Sequence, residues 1–218
     1  MVNVKEILGI VKSSIVIMVV VVLLVGVLIP TVTSLIAENV DPGPANGSQI
    51  SIHGKIYGSY LLAQAFNRSY FFQPRPSAID FNQTSSGAPE CSPNTNASLN
   101  QTMQNLRNFE NMNPNVTLSQ IPGEMIMDSD SGLDPNIPVQ GAILQEKRVV
   151  QSIIKLGRLK GVLLSGKQVN NTVEGLINAS ESQDFPVFGS YYVNVMYIDV
   201  GILNFLMDNG IIRQSSLD

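Results

Sequence analysis

From Ser13 to Ala37 the chain runs for 25 residues without a charged side chain. Between Ile15 and Ile29 it is nearly unbroken Val, Leu and Ile, interrupted by Met18 and Gly26. A helix over residues 14–35 rises about 33 Å, against a bilayer hydrocarbon core of about 30 Å. Inside such a core every backbone N–H and C=O must be paired within the segment, so the run is expected to span as a helix. The 13 Val, Leu and Ile side chains of that run each favour insertion by about 0.3–0.6 kcal/mol, several kcal/mol in sum. Pro30 removes one helical hydrogen bond, and Thr31, Thr33 and Ser34 are the side chains placed to compensate.

Lys5 and Lys12 precede the span; Glu38 and Asp41 follow it. The positive-inside bias therefore puts the N-terminus in the cytoplasm and the chain after Ala37 outside. A cleaved signal peptide is the alternative. The length of the apolar run argues for a retained anchor, as does Leu35, which stands where a small residue is wanted two before Ala37. The expected organisation is a cytoplasmic N-terminus (1–12), a transmembrane helix (13–36), a linker (37–48) and an extracytoplasmic domain (49–218).

Removing Lys5, Lys12 and Glu6 from 13 basic and 17 acidic residues leaves 11 and 16 outside, a net of −5. That sum makes the domain a poor ligand for nucleic acid or anionic lipid. Cys91 is the one cysteine, so no intrachain disulfide forms. Asparagine is abundant, with 20 residues, and eight Asn-x-Ser/Thr acceptors occur, at Asn46, Asn67, Asn82, Asn96, Asn100, Asn115, Asn170 and Asn178. The excess fits an exterior surface that replaces charges with neutral polar groups. Such a surface has few carboxylates to lose their charge in an acidic exterior.

Beyond the span, Glu38 to Ser48 reads as a turn-rich linker. Gln49 to Tyr57 alternates as one strand, with His53 on it. A lone His without a second to share a metal is a satisfied polar residue rather than a zinc ligand. Gly58 to Phe66 is a short helix or an irregular segment. Pro74 and Pro76 hold Arg75 extended between them, which presents its five donors with little backbone freedom. Helices are expected over 97–113 (apolar Leu99, Met103, Leu106, Phe109), from Pro138 to Leu156 (Ala142, Val149, Ile153, Leu156), over 169–179 and over 198–208. Met125-Ile126-Met127 and Tyr191 to Met196 read as strands. The fold class is a mixed α/β (α+β) domain on a single N-terminal transmembrane helix.

Two stretches imitate ligand loops. Asp128 to Pro135 is acidic and rich in Ser and Gly, but lacks the twelve-residue spacing and closing Glu of a calcium loop. Gly161 to Lys167 matches a phosphate-binding loop through its Lys, but Gln168 stands where Ser or Thr must hold magnesium. No nucleophile elbow, paired carboxylates or His-based constellation emerges, and no metal site or intrinsic cofactor is expected.

Four pieces in fixed order carry a resemblance. Ala45-Asn46-Gly47-Ser48 follows the span. Gly58-Ser59 precedes Gln64-Ala65-Phe66. Tyr70-Phe71 precedes Arg75-Pro76-Ser77-Ala78. Ser129-Asp130-Ser131-Gly132-Leu133-Asp134-Pro135-Asn136-Ile137 comes last, ahead of Val193-Asn194-Val195 and an amphipathic helix. In these the chain resembles KdpC, the C subunit of the Kdp potassium-transporting ATPase. Three features depart from that family's pattern. No aromatic residues follow the span, the loop after Ala78 is matched only by Ser86-Gly87 and Ser92-Pro93-Asn94, and Gln145 is followed by Glu-Lys-Arg-Val.

The resemblance implies a non-catalytic subunit beside a channel-like potassium-translocating subunit and a P-type ATPase subunit, with its domain on the outer face of the cell membrane. It implies the role of a catalytic chaperone that raises the pump's ATP affinity. ATP enters by the resemblance alone, and an effect on a cytoplasmic nucleotide site must travel through the span or the channel subunit. It also marks Gly58, Ser59, Gln64, Phe66, Arg75, Pro76, Ser77, Ala78, Ser131, Gly132, Leu133, Asp134 and Pro135 as partner contacts or structural positions. The alternative is an anchored solute-binding or enzymatic domain, with Arg75 and the 128–134 loop lining a pocket.

Overall fold

The computed structural model describes residues 4–213 except 53, 90–93, 184, 186 and 187. The readings made for His53 and Cys91 lie outside the described residues, as do Ser92 and Pro93. The chain divides into two compact units, 1–57 and 58–218.

The first unit is dominated by one long helix. α1 (Val4–Leu23) passes through a π-helical turn at Leu24–Leu28 into α2 (Ile29–Val40). The stretch Ile7–Val40, 34 residues, is long and apolar enough to cross a membrane, and none of its most apolar stretch is buried within the chain. Pro30 accounts for the π turn. Its ring clashes with the carbonyl four residues back, and a local i→i+5 widening makes room for it. The Ile29 N–H accordingly reaches back five residues to the Leu24 carbonyl. Thr31 Oγ1 donates to the Val27 carbonyl at 2.7 Å and Thr33 Oγ1 to Ile29 at 2.8 Å.

The helix runs further than the composition indicated, because Lys12 and Glu38 fit on a helix as readily as their apolar neighbours. The linker is more ordered than expected: Pro42–Ala45 forms a helical turn, α3, with proline in its first turn. The strand expected over 49–57 is two strands, β1 (Gln49–Ile52) and β2 (Lys55–Ser59), paired as a two-stranded sheet. The alternation of Ile50, Ile52 and Ile56 continues across Gly54, whose φ of +82° turns the chain and lets one pattern hide two elements.

The second unit is the mixed helix-and-sheet domain. Its elements are α4 (Asn96–Met112), β3 (Asn136–Pro138), α5 (Val139–Leu159), α6 (Gly166–Ser180), β4 (Glu181–Gln183), β5 (Tyr191–Asn194) and α7 (Val195–Asp208). Residues 60–95 between β2 and α4 hold no further helix or strand among those described. The sheet order is β3-β5-β4, antiparallel throughout, with Ile137 opposite Val193 and Ser182 opposite Tyr192. Ile137 and Val193 point inward, onto Ala142, Val149 and Ile153 of α5, Val169, Val173 and Ile177 of α6, and Val195, Ile198, Ile202 and Leu206 of α7.

Three expectations are corrected here. Met125-Ile126-Met127 is no strand: Gly123–Met125 is a 3-10 turn, because Pro122 and Gly123 start a turn that the short apolar run cannot override. In α4 only Leu106 and Phe109 are buried, while Leu99 and Met103 are exposed. Pro138 stands just before α5 as its N-cap, with an extended ψ of 142°, rather than in the first turn. It pairs with Tyr192 in the sheet instead.

Candidate functional site

The loop 128–135 is the hub on which the quoted motifs converge. Ser129 is buried; its N–H donates to the Pro76 carbonyl at 2.9 Å, and a single parallel bridge pairs it with Ser77. Ser131 Oγ accepts the Leu133 N–H at 3.1 Å, and the Ser131 carbonyl accepts the Gly87 N–H at 3.1 Å and Ser86 Oγ at 3.2 Å. Gly132 has φ of +69°, and a Cβ there would lie 2.5 Å from Ile79 Cγ1 and 3.1 Å from the Gly87 carbonyl. Only glycine meets both conditions without strain. Leu133 is buried, and its carbonyl accepts the Ala63 N–H at 2.9 Å. The Pro135 carbonyl accepts the Val195 N–H at 2.9 Å, which ties the loop to the start of α7.

Asp134 faces two ways. Its Oδ1 accepts the Asn136 N–H at 3.0 Å, an Asx turn that leads into β3. Its Oδ2 lies 3.3 Å from Arg75 Nη1, in an ion pair with about a quarter of each side chain exposed. The rigid Pro-Arg-Pro segment thus delivers its guanidinium to the acidic loop. Pairs this open to solvent contribute at most about 1 kcal/mol. Ser77 Oγ accepts the N–H groups of Ile79 and Phe81, which stabilises the tight turn in which Asp80 and Phe81 take φ of 51° and 57°. Ala78 continues that turn.

The Gly58 motif is brought close to this hub. Gly58 leaves room for the Gln64 side chain, which a Cβ would strike. Ser59 Oγ accepts the Leu61 N–H at 3.0 Å. The Phe66 carbonyl accepts Gln73 Nε2 at 2.8 Å, and its ring meets Phe71 at 4.8 Å. Arg75, Ser131, Leu133, Asp134 and Pro135 line one open cleft of about 730 Å³ together with Ser86, Ser129 and Asn194. Gly58, Ser59, Gln64, Phe66, Pro76, Ser77 and Ala78 do not line it. Asn194 caps α7 by accepting the Met196 N–H and donates Nδ2 to the Tyr60 carbonyl at 2.8 Å. Tyr60 in turn stacks on Tyr197, with ring centroids 4.0 Å apart.

A second cluster was missed by sequence reasoning. Gln145 is fully buried on α5 and clasps the backbone of Gln73: Oε1 accepts its N–H at 2.8 Å and Nε2 donates to its carbonyl at 3.1 Å. One turn on, Arg148 donates to Asn113 Oδ1, to the Ser69 and Phe71 carbonyls and to Gln145 Oε1, at 3.0, 2.6, 2.9 and 2.7 Å. Burial lowers its guanidinium to about 10, partly opposed by Asp199, so it stays charged at neutral pH. Asp199 of α7, 1% exposed, accepts the Phe72 N–H at 2.8 Å, while its second oxygen has no partner among the described residues. Burial pushes its carboxyl well above the usual range, against the Phe72 N–H and the Arg148 charge. Side chains from α5 and α7 thus grip Ser69 to Gln73, the lead-in to Pro74-Arg75-Pro76. One signal marked Asp199: it is the lone charge between Val195 and Met207, spaced with Val195 and Ile202 on the core face.

Both imitation loops lie in the mixed helix-and-sheet domain. Gly161 to Lys167 joins two helices, with no strand before it, so the strand–loop–helix cradle for a phosphate is not built. Among the described residues no group of three or more His, Cys, Asp or Glu is placed to hold a metal ion.

One exposed apolar helix on a chain with an α+β domain, whose motif residues fix the loops around an open cleft, defines a membrane-anchored domain. Comparison with known proteins gives the family. Residues 11–204 match the model of KdpC, K+-transporting ATPase, c chain. The potassium-transporting ATPase KdpC subunit of Thermoplasma acidophilum is 46% identical over 194 residues, 89% of this chain and 92% of that protein. That of Thermoplasma volcanium is 46% identical over 92% of this chain and 94% of its own length. That of Caldanaerobacter subterraneus subsp. tengcongensis is 34% identical over 91% and 95%. The chain belongs to the KdpC family, the c chains of potassium-transporting ATPases.

Proposed function

We infer that this chain is an accessory, non-catalytic subunit of an ATP-driven potassium-uptake complex, anchored by one span. The observation that supports this most is the family match over residues 11–204, on a chain that joins an unburied apolar helix to the domain. Lys5 and Lys12 before the span, with Glu38 and Asp41 after it, favour a cytoplasmic N-terminus and a domain outside the cell membrane. The partners in this reading are the channel-like potassium-translocating subunit and the P-type ATPase subunit. The cleft around Arg75 and Asp134 is the contact surface offered to them.

The same reading includes an increase in the pump's affinity for ATP. The Gly161–Lys167 segment does not fit a nucleotide phosphate, so the effect is assigned to contacts relayed through the span or the channel subunit. Purification of the complex from membranes through a tag on this chain tests the assembly role: both large subunits are expected, and their absence overturns it. Protease protection in intact cells tests the side. The pump's apparent KM for ATP with and without this chain tests the regulatory role, and an unchanged KM refutes that part alone. The open cleft of about 730 Å³ supports the second reading, a solute-binding domain, which titration calorimetry with candidate solutes checks.

A further inference from the structure

The net of −5 outside the span conceals an uneven distribution. Residues 147–167 hold six of the 11 basic residues there (Lys147, Arg148, Lys155, Arg158, Lys160, Lys167) and none of the 16 acidic ones, leaving a net of −11 for the rest. Arg148 is turned inward, whereas the other five are exposed. None of those five side chains has an ion-pair partner among the described residues. On α5, Ile143, Lys147, Gln151, Lys155 and Leu159 recur every fourth residue, so they form one exposed stripe.

The stripe runs to the turn that joins α5 to α6. Six residues connect two packed helices there, so the helices form an antiparallel hairpin and the turn is its tip. The tip is firmly built. The Val162 N–H bonds back to the Gly157 carbonyl at 2.8 Å and the Gly161 N–H to Arg158 at 3.1 Å, a Schellman closure. Against that fixed backbone stand Leu159, 74% exposed, and Leu163, 89% exposed. Leu159 borders a depression of about 550 Å³ together with Gln151, Ile154, Lys155 and Arg158.

We propose that this tip docks on the anionic headgroup surface of the membrane that holds the span, with Leu159 and Leu163 inserted at the headgroup–acyl boundary and Lys155, Arg158, Lys160 and Lys167 on the phosphates. Exposed leucines flanked by unpaired cations match an interfacial contact, because apolar insertion and charge attraction act together. The chain's own anchor keeps that membrane within reach at high effective concentration. An acidic protein surface would attract the same cations, but leaves two nearly bare leucines on a rigid turn unexplained. The proposal rests on the anchoring and not on which side of the membrane the domain lies.

The test uses the full chain in nanodiscs, with Cys91→Ser and Leu163→Cys carrying an environment-sensitive fluorophore. Zwitterionic discs are compared with discs containing phosphatidylglycerol, and Met127→Cys, beside Glu124 and Asp128, is the control. Label at 163 is expected to shift to the blue in anionic discs and to return at high salt, while label at 127 does not respond. Each cation near an anionic leaflet favours contact by about fivefold. Lys155→Gln with Arg158→Gln and Lys160→Gln therefore lowers the docked-to-free ratio by about a hundredfold and abolishes the shift. Equal emission in the two disc types overturns the proposal. So does a blue shift that appears only when the other pump subunits are present, which assigns the patch to a protein partner.

Discussion

Arg148→Met separates a positioning network from a decorative one. Methionine keeps most of the apolar stem and removes the guanidinium, with its hydrogen bonds to Asn113, Ser69, Phe71 and Gln145. A hydrogen bond from a charged donor contributes about 1.5–3 kcal/mol, but the four share one group and do not add. The Ser69 carbonyl lies at the surface, where water replaces the lost donor. The carbonyl of Phe71 and Oδ1 of buried Asn113 lack that recourse, and Asp199 loses its nearest positive charge. Removing one partner from such a buried network costs about 3–5 kcal/mol, and the wet end places this case near 3. For a domain of this size each kcal/mol moves Tm by about 2–4 °C, so the variant should melt about 6–12 °C lower. Thermal unfolding of the full chain in detergent micelles, followed by circular dichroism, measures it. Arg148→Lys, which reaches fewer of the acceptors, should fall between. A Tm for Arg148→Met within 2 °C of the parent would refute the claim that this network holds Ser69 to Gln73 in place.

Asp199 and Glu146 give a pH signature. Both carboxyls are raised, Asp199 by burial and Glu146 by burial and then by Glu174. The native state therefore binds protons more tightly than the unfolded chain. Their contribution is fully present below the ordinary carboxylate range and is lost as pH rises through the raised values. Tm should rise on acidification from about pH 7 to about pH 5, and Asp199→Asn should flatten that slope; an identical slope in the variant would refute the assignment. Gly132→Ala combines a positive φ with contact on Ile79 and the Gly87 carbonyl, so a loss of about 2–4 kcal/mol is expected in denaturant titration. Arg75→Gln should change stability by less than about 1 kcal/mol, yet reduce co-purification of the pump subunits; full recovery of both would remove Arg75 from the partner surface.

The helices were legible because their apolar residues sit at helical spacing and bury as a stripe. Val169, Val173 and Ile177 of α6 face the core as that spacing requires. Reading failed where one pattern served two purposes. Alternation over Ile50, Ile52 and Ile56 did not reveal the reversal at Gly54, and Leu99 and Met103 of α4 keep the helical period without finding a core. The Gln145, Arg148 and Asp199 cluster was illegible for a different reason. Its bonds join residues 72, 77 and 127 positions apart, and no local period encodes such pairings. The uneven charge is present in the sequence, but a net sum averages it away.

The family motifs mean something different once their bonds are known. In Ser-Gly-Leu-Asp-Pro, Ser131 turns the chain, Gly132 supplies the left-handed step, Leu133 and Pro135 offer carbonyls to Ala63 and Val195, and Asp134 opens β3. Ser77 in Arg-Pro-Ser-Ala does the same for its own turn. Groups engaged in this way hold the loops around the cleft in shape. Side chains with capacity to spare include those around Arg75, whose Nε has no partner among the described residues, and those at the α5–α6 tip. The recognition proposed for a partner and for the membrane therefore falls on groups that the fold itself leaves unspent.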